Sequence, residues 1–445
     1  MDIFRNKNFS LLFFGRVLTN IGDSLYAVSA MWLIYDLGGS SFYTGLAGFL
    51  SILPRILQLL SGPIIDRIPI RGILVYSQFI QALLLLLVPI ASFFDVLTVG
   101  LVLTITPILS ICNTWVYPVQ MSALPKILDA RQLTKGNSLF SVAYQGIDVA
   151  CNAISGILIV VIGAVSLYLW NALGFFIGAM LFAQLRINSA NPSVKSEEDS
   201  EITINQVHEK NSRVKQLLAD YKNDLVSGIK LLTQTPLAKL LYGIIVINAA
   251  GGATFSVLPA FGDKLGGPDL YGLLLMVQAL GSVLGAACAP FLELERMRLG
   301  LLYAMAFIAS GIAWSMSVFS PLTWLVIIFY GLAWFPGGAV NVIINTVVQK
   351  GIPQQYLGLI FSATMALSGI AMPIGSLLGG ILGLWLDSHA VISLCGITVL
   401  LVGCYWLLDK TSRNLPKTEH VEEGFFSFRK ETEPSSIRAV NELDG

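Results

Sequence analysis

Long apolar runs separated by short polar breaks dominate the chain. A membrane-spanning α-helix needs about 20 predominantly apolar residues, and most of the runs reach or exceed that length. Read at that length, the pattern predicts twelve membrane helices, over residues 9–36, 42–65, 72–94, 96–124, 132–161, 164–186, 236–262, 268–292, 298–319, 321–349, 354–385 and 388–409. The predicted fold is an all-α integral membrane protein.

One long polar stretch divides the twelve runs into six and six. The predicted parts are a six-helix N-terminal half (1–187), a cytoplasmic linker (188–235), a six-helix C-terminal half (236–409) and a disordered cytoplasmic tail (410–445). Apolar residues recur with a helical period from Val214 to Leu232. This predicts an amphipathic helix within the linker, lying on the membrane or against the bundle.

An internal repeat supports two pseudo-symmetric halves. At a spacing of 228 residues, Gly and Tyr residues of the first half align with the same residue types in the second: Gly38, Gly39, Tyr43 and Gly72 with Gly266, Gly267, Tyr271 and Gly300. At a spacing of 224, Lys126 and Gly156 align with Lys350 and Gly380. Parallel repeats of this kind are typical of transporters that bind their substrate between the halves.

Composition and charge placement agree with a membrane protein. Only 12% of the residues are charged, against about 25% in soluble proteins. The formal net charge is zero, so nothing suggests a nucleic-acid partner. With the N-terminus inside the cell, basic residues fall in the inner turns and the outer turns carry Lys264 alone. The positive-inside rule therefore predicts that both termini are cytoplasmic.

Motifs for enzymatic or metal chemistry were not found. The five cysteines lie inside apolar runs and have no metal-ligand spacing, so they are interpreted as small core side chains. Phosphate-binding glycine loops and nucleophile motifs do not occur either. The sequence thus predicts neither an enzyme nor a bound cofactor or metal.

The polar turn after the second predicted helix carries the most specific motif. Its residues Gly62, Asp66, Arg67 and Arg71 resemble the signature loop of the major facilitator superfamily, although Pro69 stands where that pattern has Gly. The resemblance implies twelve helices in the major facilitator fold. We expect these four residues to form a gating loop, in which Asp66 pairs across the cytoplasmic seam between the halves.

Three further segments are similar to the macrolide-efflux branch of that superfamily: Phe4–Phe9, Gly22–Tyr26 and Leu124–Lys126. The resemblance implies a monomeric secondary active transporter in the lipid bilayer of a bacterial cell membrane. By alternating access it would export amphipathic drug-like small molecules, with macrolides as one candidate class, in exchange for protons. Two alternatives stay open: a dedicated carrier for one metabolite, peptide or siderophore, and a non-transporting membrane sensor.

One departure weakens the case for proton-driven export. Antiporter members of the superfamily carry a Gly-Pro-x-x-Gly-Gly motif on the fifth helix. Here the corresponding segment, Cys151–Gly156, keeps only the last glycine. The segment Gly375–Gly380 in the second half is closer to the motif, and small residues at that spacing permit close helix packing in either half.

Asp23 and Asp148 are the candidates for proton coupling. An ionisable group at the centre of a membrane helix costs about 2.5–3.5 kcal/mol or more, so each needs a reason to be there. Asp23 shares a helix face with Arg16, which is expected to snorkel toward the membrane surface. The alternatives are a structural ion pair or helix contact for Asp23 and interhelical packing for Asp148.

Polar and aromatic residues at mid-helix positions are the candidates for lining a substrate cavity: Asn20, Tyr26, Arg55, Asn113, Tyr117, Tyr144, Asn152, Asn248, Trp334, Asn341, Asn345 and Met365. Arg55 needs an acidic or carbonyl partner, and a structural role for it stays open. The second half has almost no intramembrane charge, so any protonation switch is predicted to belong to the first half.

Overall fold

A computed structural model of the chain describes residues 2–51, 54, 69–186, 230, 238–352 and 354–421. Within these ranges the regular secondary structure is helical, apart from one isolated bridge between Arg298 and Lys417. The predicted amphipathic helix over 214–232 lies outside the described residues, as do Arg55, Gly62, Asp66 and Arg67. Arg71 is described, as an exposed residue in the first turn of its helix.

The N-terminal half contains seven described helical segments: α1 (Lys7–Gly38), α2 (Ser41–Leu50), α3 (Ile70–Phe93), α4 (Val99–Thr114), α5 (Val116–Ile127), α6 (Ala130–Ile162) and α7 (Ala164–Ala183). The C-terminal half contains another seven: α8 (Ala238–Leu265), α9 (Pro268–Cys288), α10 (Leu299–Phe319), α11 (Thr323–Gly351), α12 (Gln354–Leu382), α13 (Ser388–Leu408) and α14 (Lys410–Arg413). Each of the twelve predicted spans coincides with one of these segments or contains part of it. The all-α membrane fold is confirmed.

Local sequence signals fix where the first helices begin and end. The Asn6 side chain accepts hydrogen bonds from the backbone N–H groups of Asn8 and Phe9, which caps the start of α1. Gly39 ends α1 in the left-handed region at φ 63°, where a glycine carries no steric cost. Ser40 then caps α2, so the chain reverses direction within two residues.

Nine of the described segments are long and apolar enough to cross a membrane, if α4 and α5 count as one. The helix α6 would be a tenth, bent by 46° between Asn152 and Ile154. The described part of α2 is short because the residues that follow Ser51 are almost all outside the described ranges.

The predicted disorder of the tail is wrong for residues 410–421. This segment folds back along the start of α10, where the Leu299 N–H donates to the Pro416 carbonyl at 3.0 Å. Leu415 and Val421 are buried in the same apolar cluster as Leu299. The polar composition of the tail concealed these two apolar side chains, whose burial favours order.

The halves meet through glycines at the distal end of the bundle, meaning the end away from the start of α1. Gly45 on α2 packs against Gly380 on α12, and Gly156 on α6 packs against Gly272 on α9. A Cβ built on Gly45 would lie 2.7 Å from the Gly380 Cα, so the backbones touch directly. These two contacts are termed the glycine seam.

The seam follows the internal repeat. Gly45 and Gly272 are each the fifth residue of their helix, and Gly156 and Gly380 are the pair that aligns at a spacing of 224. Two further contacts strengthen the distal end: Thr44 Oγ1 donates to the Ser256 carbonyl at 2.5 Å, and the Tyr35 hydroxyl donates to Asp263 at 3.2 Å. The halves are thus closed against each other at this end.

Candidate functional site

A central cavity of about 660 Å³ lies on the proximal side of the glycine seam. All of its described lining residues belong to the N-terminal half: Arg16, Asn20, Asp23, Ser24, Ala27, Ser51, Pro54, Ser110, Asn113, Thr114, Tyr117, Tyr144, Asp148 and Asn152. Seven of the predicted site residues are in this set. The helical spacing that placed Asn20 and Asp23 on one face of α1 also directs both into the cavity.

Arg16 is anchored inside the bundle, which contradicts the expectation that it snorkels. Its side chain is only 4% exposed, and its Nε donates to Gln120 Oε1 at 2.9 Å and to the Tyr144 hydroxyl at 3.1 Å. Its Nη1 donates to Thr19 Oγ1 at 3.2 Å. Because these partners come from α1, α5 and α6, the guanidinium joins three helices and has a fixed position at the cavity wall.

The two carboxylates occupy neighbouring positions on this wall. The Ser24 hydroxyl donates to Asp148 Oδ1 at 2.7 Å, which connects α1 to α6. Asp23 faces Asn113 on α4 and lies within electrostatic range of both Arg16 and Asp148. If both carboxylates are ionised, the three charges sum to −1. The site can therefore attract one further positive charge, either a proton or a cationic group.

An apolar chamber of about 210 Å³ adjoins the central cavity beneath the glycine seam. Both halves line it, through Tyr26, Ala27, Ala30, Met31, Ile34, Ala47, Gly48, Ser51, Thr106, Ser110, Gly252, Phe255, Met372, Pro373 and Ser376. Ala27, Ser51 and Ser110 line the central cavity as well. A polar space with charged groups is thus adjacent to an apolar one, an arrangement that suits an amphipathic ligand.

Comparison with known proteins identifies the family. The family model described as Major Facilitator Superfamily matches residues 12–375. The chain belongs to the major facilitator superfamily. This confirms the superfamily that the turn around Asp66 predicted.

Other members of the superfamily resemble the chain over most of its length. The uncharacterized MFS-type transporter YvqJ of Bacillus subtilis (strain 168) is 24% identical over 434 residues, covering 95% of this chain and 97% of the relative. The multidrug efflux pump Tap of Mycolicibacterium fortuitum is 23% identical over 405 residues, covering 88% and 93%. These similarities support a membrane transporter.

Solved structures of other transporters share the fold. A bacterial homologue of the iron transporter ferroportin, in an inward-facing state, superposes with a TM-score of 0.65 at 16% identity, covering 91% of this chain and 98% of that one. A bacterial homologue of the lysosomal transporter Spinster superposes with a TM-score of 0.67 at 12% identity, covering 94% and 99%.

The remaining predicted cavity residues of this major facilitator protein either do not line the central cavity or have side chains that the structure does not describe. Asn248 donates to the Ile244 carbonyl of its own helix at 2.9 Å. Trp334 packs against Trp314, with ring centroids 5.3 Å apart, and the exposed Asn341 lines none of the chambers described above. Arg55 and the side chains of Asn345 and Met365 are not among the described groups.

Sequence reasoning missed two groups that hold the site together, Gln120 and Ser24. Gln120 is fully buried on α5 and accepts from both Arg16 and Tyr144. A glutamine inside an apolar run is itself a signal, since a buried amide needs partners. Ser24 follows Asp23 directly, but only the packing of α1 on α6 shows that its hydroxyl reaches Asp148.

Proposed function

We propose that the chain is a proton-coupled exporter of amphipathic drug-like molecules, with macrolides as one candidate class. The observation that carries this proposal is the adjacency of the two spaces: a polar cavity with Asp23 and Asp148 next to an apolar chamber between the halves. A ligand with one polar or cationic end and one apolar end can occupy both at once. The name of the similar protein Tap, a multidrug efflux pump, supports export.

The predicted topology assigns each end of the bundle to a side of the membrane in the proposed export cycle. With both termini cytoplasmic, as the positive-inside rule predicts, the glycine seam closes the extracellular side. The central cavity would then receive substrate from the cytoplasm or the inner leaflet. Rocking of the halves would open the seam and release the substrate outside. The gating role of Asp66 and Arg67 in closing the cytoplasmic side stays a prediction, as does the monomeric state.

The carboxylates would couple this movement to protons. An exchanger must prevent proton and substrate from being carried together, and a carboxylate facing the cavity can meet both. Asp23 is the first candidate because it faces the cavity alongside Arg16 and Asp148. Arg16 is assigned a positioning role, since its hydrogen bonds to Gln120 and Tyr144 hold it at the cavity wall without a direct ion pair.

Transport in proteoliposomes tests the proposal. A panel of amphipathic drugs, including macrolides, is measured with and without an imposed proton gradient. We expect gradient-driven transport of several members of the panel, and a loss of about 100-fold or more in Asp23→Asn, because a group that exchanges a proton in the cycle has no neutral substitute. Asp36→Asn is the matched control, since Asp36 is an exposed carboxylate near the distal end of the same helix.

Two results would contradict the proposal. Gradient-driven transport that persists in Asp23→Asn at the wild-type rate would remove Asp23 from the coupling mechanism. Transport of a single compound, unaffected by the rest of the panel, would instead indicate a dedicated carrier.

A further inference from the structure

A third chamber, of about 170 Å³, lies inside the N-terminal half behind Asp23. Its described lining comes from α1, α3, α4 and α7 of this half alone: Asp23, Tyr26, Ala27, Gln81, Leu85, Leu109, Ser110, Asn113 and Phe175. It is termed the side chamber. Asp23, Ala27, Ser110 and Asn113 also line the central cavity, so the Asp23 carboxylate borders both spaces.

Asn113 directs its side-chain amide to Asp23, and the other uncharged polar groups of the side chamber have already donated their protons elsewhere. Gln81 is 2% exposed, and its Nε2 donates to the backbone carbonyl and to the hydroxyl of Ser77, both at 3.2 Å. The Tyr26 hydroxyl donates to Thr106 Oγ1 at 3.0 Å, and the Ser110 hydroxyl donates to the Thr106 carbonyl at 3.0 Å. The amide oxygen and the two hydroxyl oxygens are left as acceptors, together with the carboxylate.

A chamber that offers mainly acceptors selects a ligand that donates. Among its described lining residues Asp23 alone carries a charge, and Arg16 lines the central cavity but not the side chamber. The remaining wall is apolar, formed by Leu85, Leu109 and Phe175. An engineered protein cavity of about 150 Å³ holds benzene, so the side chamber has room for a small organic group as well as for water.

We propose that the side chamber binds a compact primary or secondary ammonium group, carried on a short arm of the transported substrate. The ammonium donates to the Asp23 carboxylate and to Gln81 Oε1, while the carbons of the arm contact Leu109 and Phe175. The identity of the ligand as a substrate rests on the proposed transport function. The capacity of the chamber for an ammonium group does not, and it can be tested without transport.

Binding of a free alkylammonium ion to the purified full-length protein provides the test. The unfolding temperature is followed while ethylammonium chloride is added at pH 8, where this amine is still protonated. Tetramethylammonium chloride and sodium chloride are added separately at equal ionic strength. We expect a saturable rise in unfolding temperature with ethylammonium alone, because tetramethylammonium has no N–H to donate and the sodium ion has no apolar part.

Two pairs of variants locate the binding. Gln81→Leu removes an acceptor at similar volume and should raise the half-saturating concentration about tenfold, while Leu109→Phe fills the chamber and should abolish the response. Their matched controls lie on the same helices. Gln78→Leu alters a fully buried amide that lines none of the three chambers, and Ile108→Phe alters a side chain that is 40% exposed.

Three results would overturn the inference. They are an equal response to sodium, an equal response to tetramethylammonium, and a response that Leu109→Phe leaves intact. The first would identify the chamber as an alkali-cation site instead. If ethylammonium binds as expected but no proton-driven transport is found, the chamber assignment stands and the proposed function fails.

Discussion

The two halves contribute different chemistry to the central cavity and the adjoining apolar chamber. Asp23 on α1 precedes Gly251 on α8 by the 228-residue spacing of the repeat, and Asp148 on α6 precedes Met372 on α12 by the 224-residue spacing. Both carboxylates line the polar cavity, whereas Met372 lines the apolar chamber. The repeat has therefore kept the scaffold, while the charged residues among the described lining of the chambers all belong to the first half.

The same contrast holds for the groups around the carboxylates. Ile244 stands at the repeat position of the buried Arg16, and Phe255 stands at that of Ala27. Asn20 faces the cavity, but its counterpart Asn248 bonds to its own helix through the Ile244 carbonyl. The first half thus presents polar groups to a ligand, and the second presents apolar surface.

The glycine seam, by contrast, keeps the symmetry. Each half supplies one glycine from a helix start and one from a helix end, so both contacts are built in the same way. In the proposed rocking of the halves the two contacts would open together, and their equivalence suits that movement. The lining of the candidate site is therefore asymmetric, whereas the contacts that would open in the proposed cycle are symmetric.

The largest effect is expected when Arg16 is replaced by isoleucine, the residue type of Ile244 at its repeat position. Arg16→Ile leaves Asp23 and Asp148 without their buried positive charge, which should destabilise the protein by about 3 kcal/mol and abolish transport. The unfolding temperature of the purified protein and uptake into proteoliposomes measure the two effects. Adding Asp148→Met introduces the residue type of Met372, the repeat counterpart of Asp148, and removes one of the two carboxylates. This second substitution should restore more than half of the lost stability.

The double variant decides whether the charges interact. Independent sites would give additive losses, so that Arg16→Ile with Asp148→Met would be less stable than either single variant. That result would mean that Arg16 stabilises the protein through packing and not through its charge. The difference in charge between the two halves would then not explain the loss of stability in Arg16→Ile.

A smaller effect is expected at the seam. A Cβ on Gly156 would overlap the Pro268 carbonyl and lie 3.0 Å from the Asp269 Cα. Gly156→Leu should therefore separate α6 from α9 and lower transport about tenfold, since a bias of 1.4 kcal/mol between the two states already gives that factor. Distances between spin labels at the distal ends of α6 and α9 should increase.

Because the two contacts of the glycine seam are equivalent, the same effect is expected at the second contact. Gly380→Leu, the repeat equivalent, should have an effect of the same size. Gly146→Leu on the same helix as Gly156 is the control, because no heavy atom lies within 4 Å of an added Cβ there. A seam at which only one of the two glycines matters would contradict the interpretation that both contacts open together.

Much of the fold could be predicted because hydropathy alone determines which segments cross a membrane. The third predicted span, 72–94, matches α3 at Ile70–Phe93 within two residues. The tail was misjudged because Leu415 and Val421 are ordered by distant residues that composition does not reveal. Disorder predicted from polarity therefore holds only where no apolar surface is in reach.

The sequence could predict the site only for residues that lie on the same helix. Helical spacing placed Asn20 and Asp23 on the same face. Two of the three partners of Arg16, Gln120 and Tyr144, lie 104 and 128 residues away in the chain, and only the packing of α1 on its neighbours brings them to it. The side chamber likewise needs four helices at once, so no local pattern could indicate it.

The smallest effect is expected at the contacts that join, in each half, the start of the first helix to the chain just after the last helix. In the first half, Asn8 exchanges two hydrogen bonds with the Arg186 backbone, at 2.8 and 3.0 Å. In the second, Lys239 forms an ion pair at 2.7 Å with Asp409, just beyond α13. The first contact joins neutral groups and the second is an ion pair, so lowering the pH should weaken only the second.

The Lys239 ammonium, together with the Ser412 N–H, lowers the pKa of Asp409 to about 2. Because this lies below the unfolded value of about 3.9, the stabilisation is present above pH 4 and is lost as the pH falls toward 2. Asp409→Asn should therefore lower the unfolding temperature by about 1–2 °C at pH 6 and by progressively less toward pH 3. The deficit of Asn8→Ala should stay constant over the same range, since both of its partners are neutral. If the two deficits change with pH in parallel, the difference between the two contacts has no electrostatic origin.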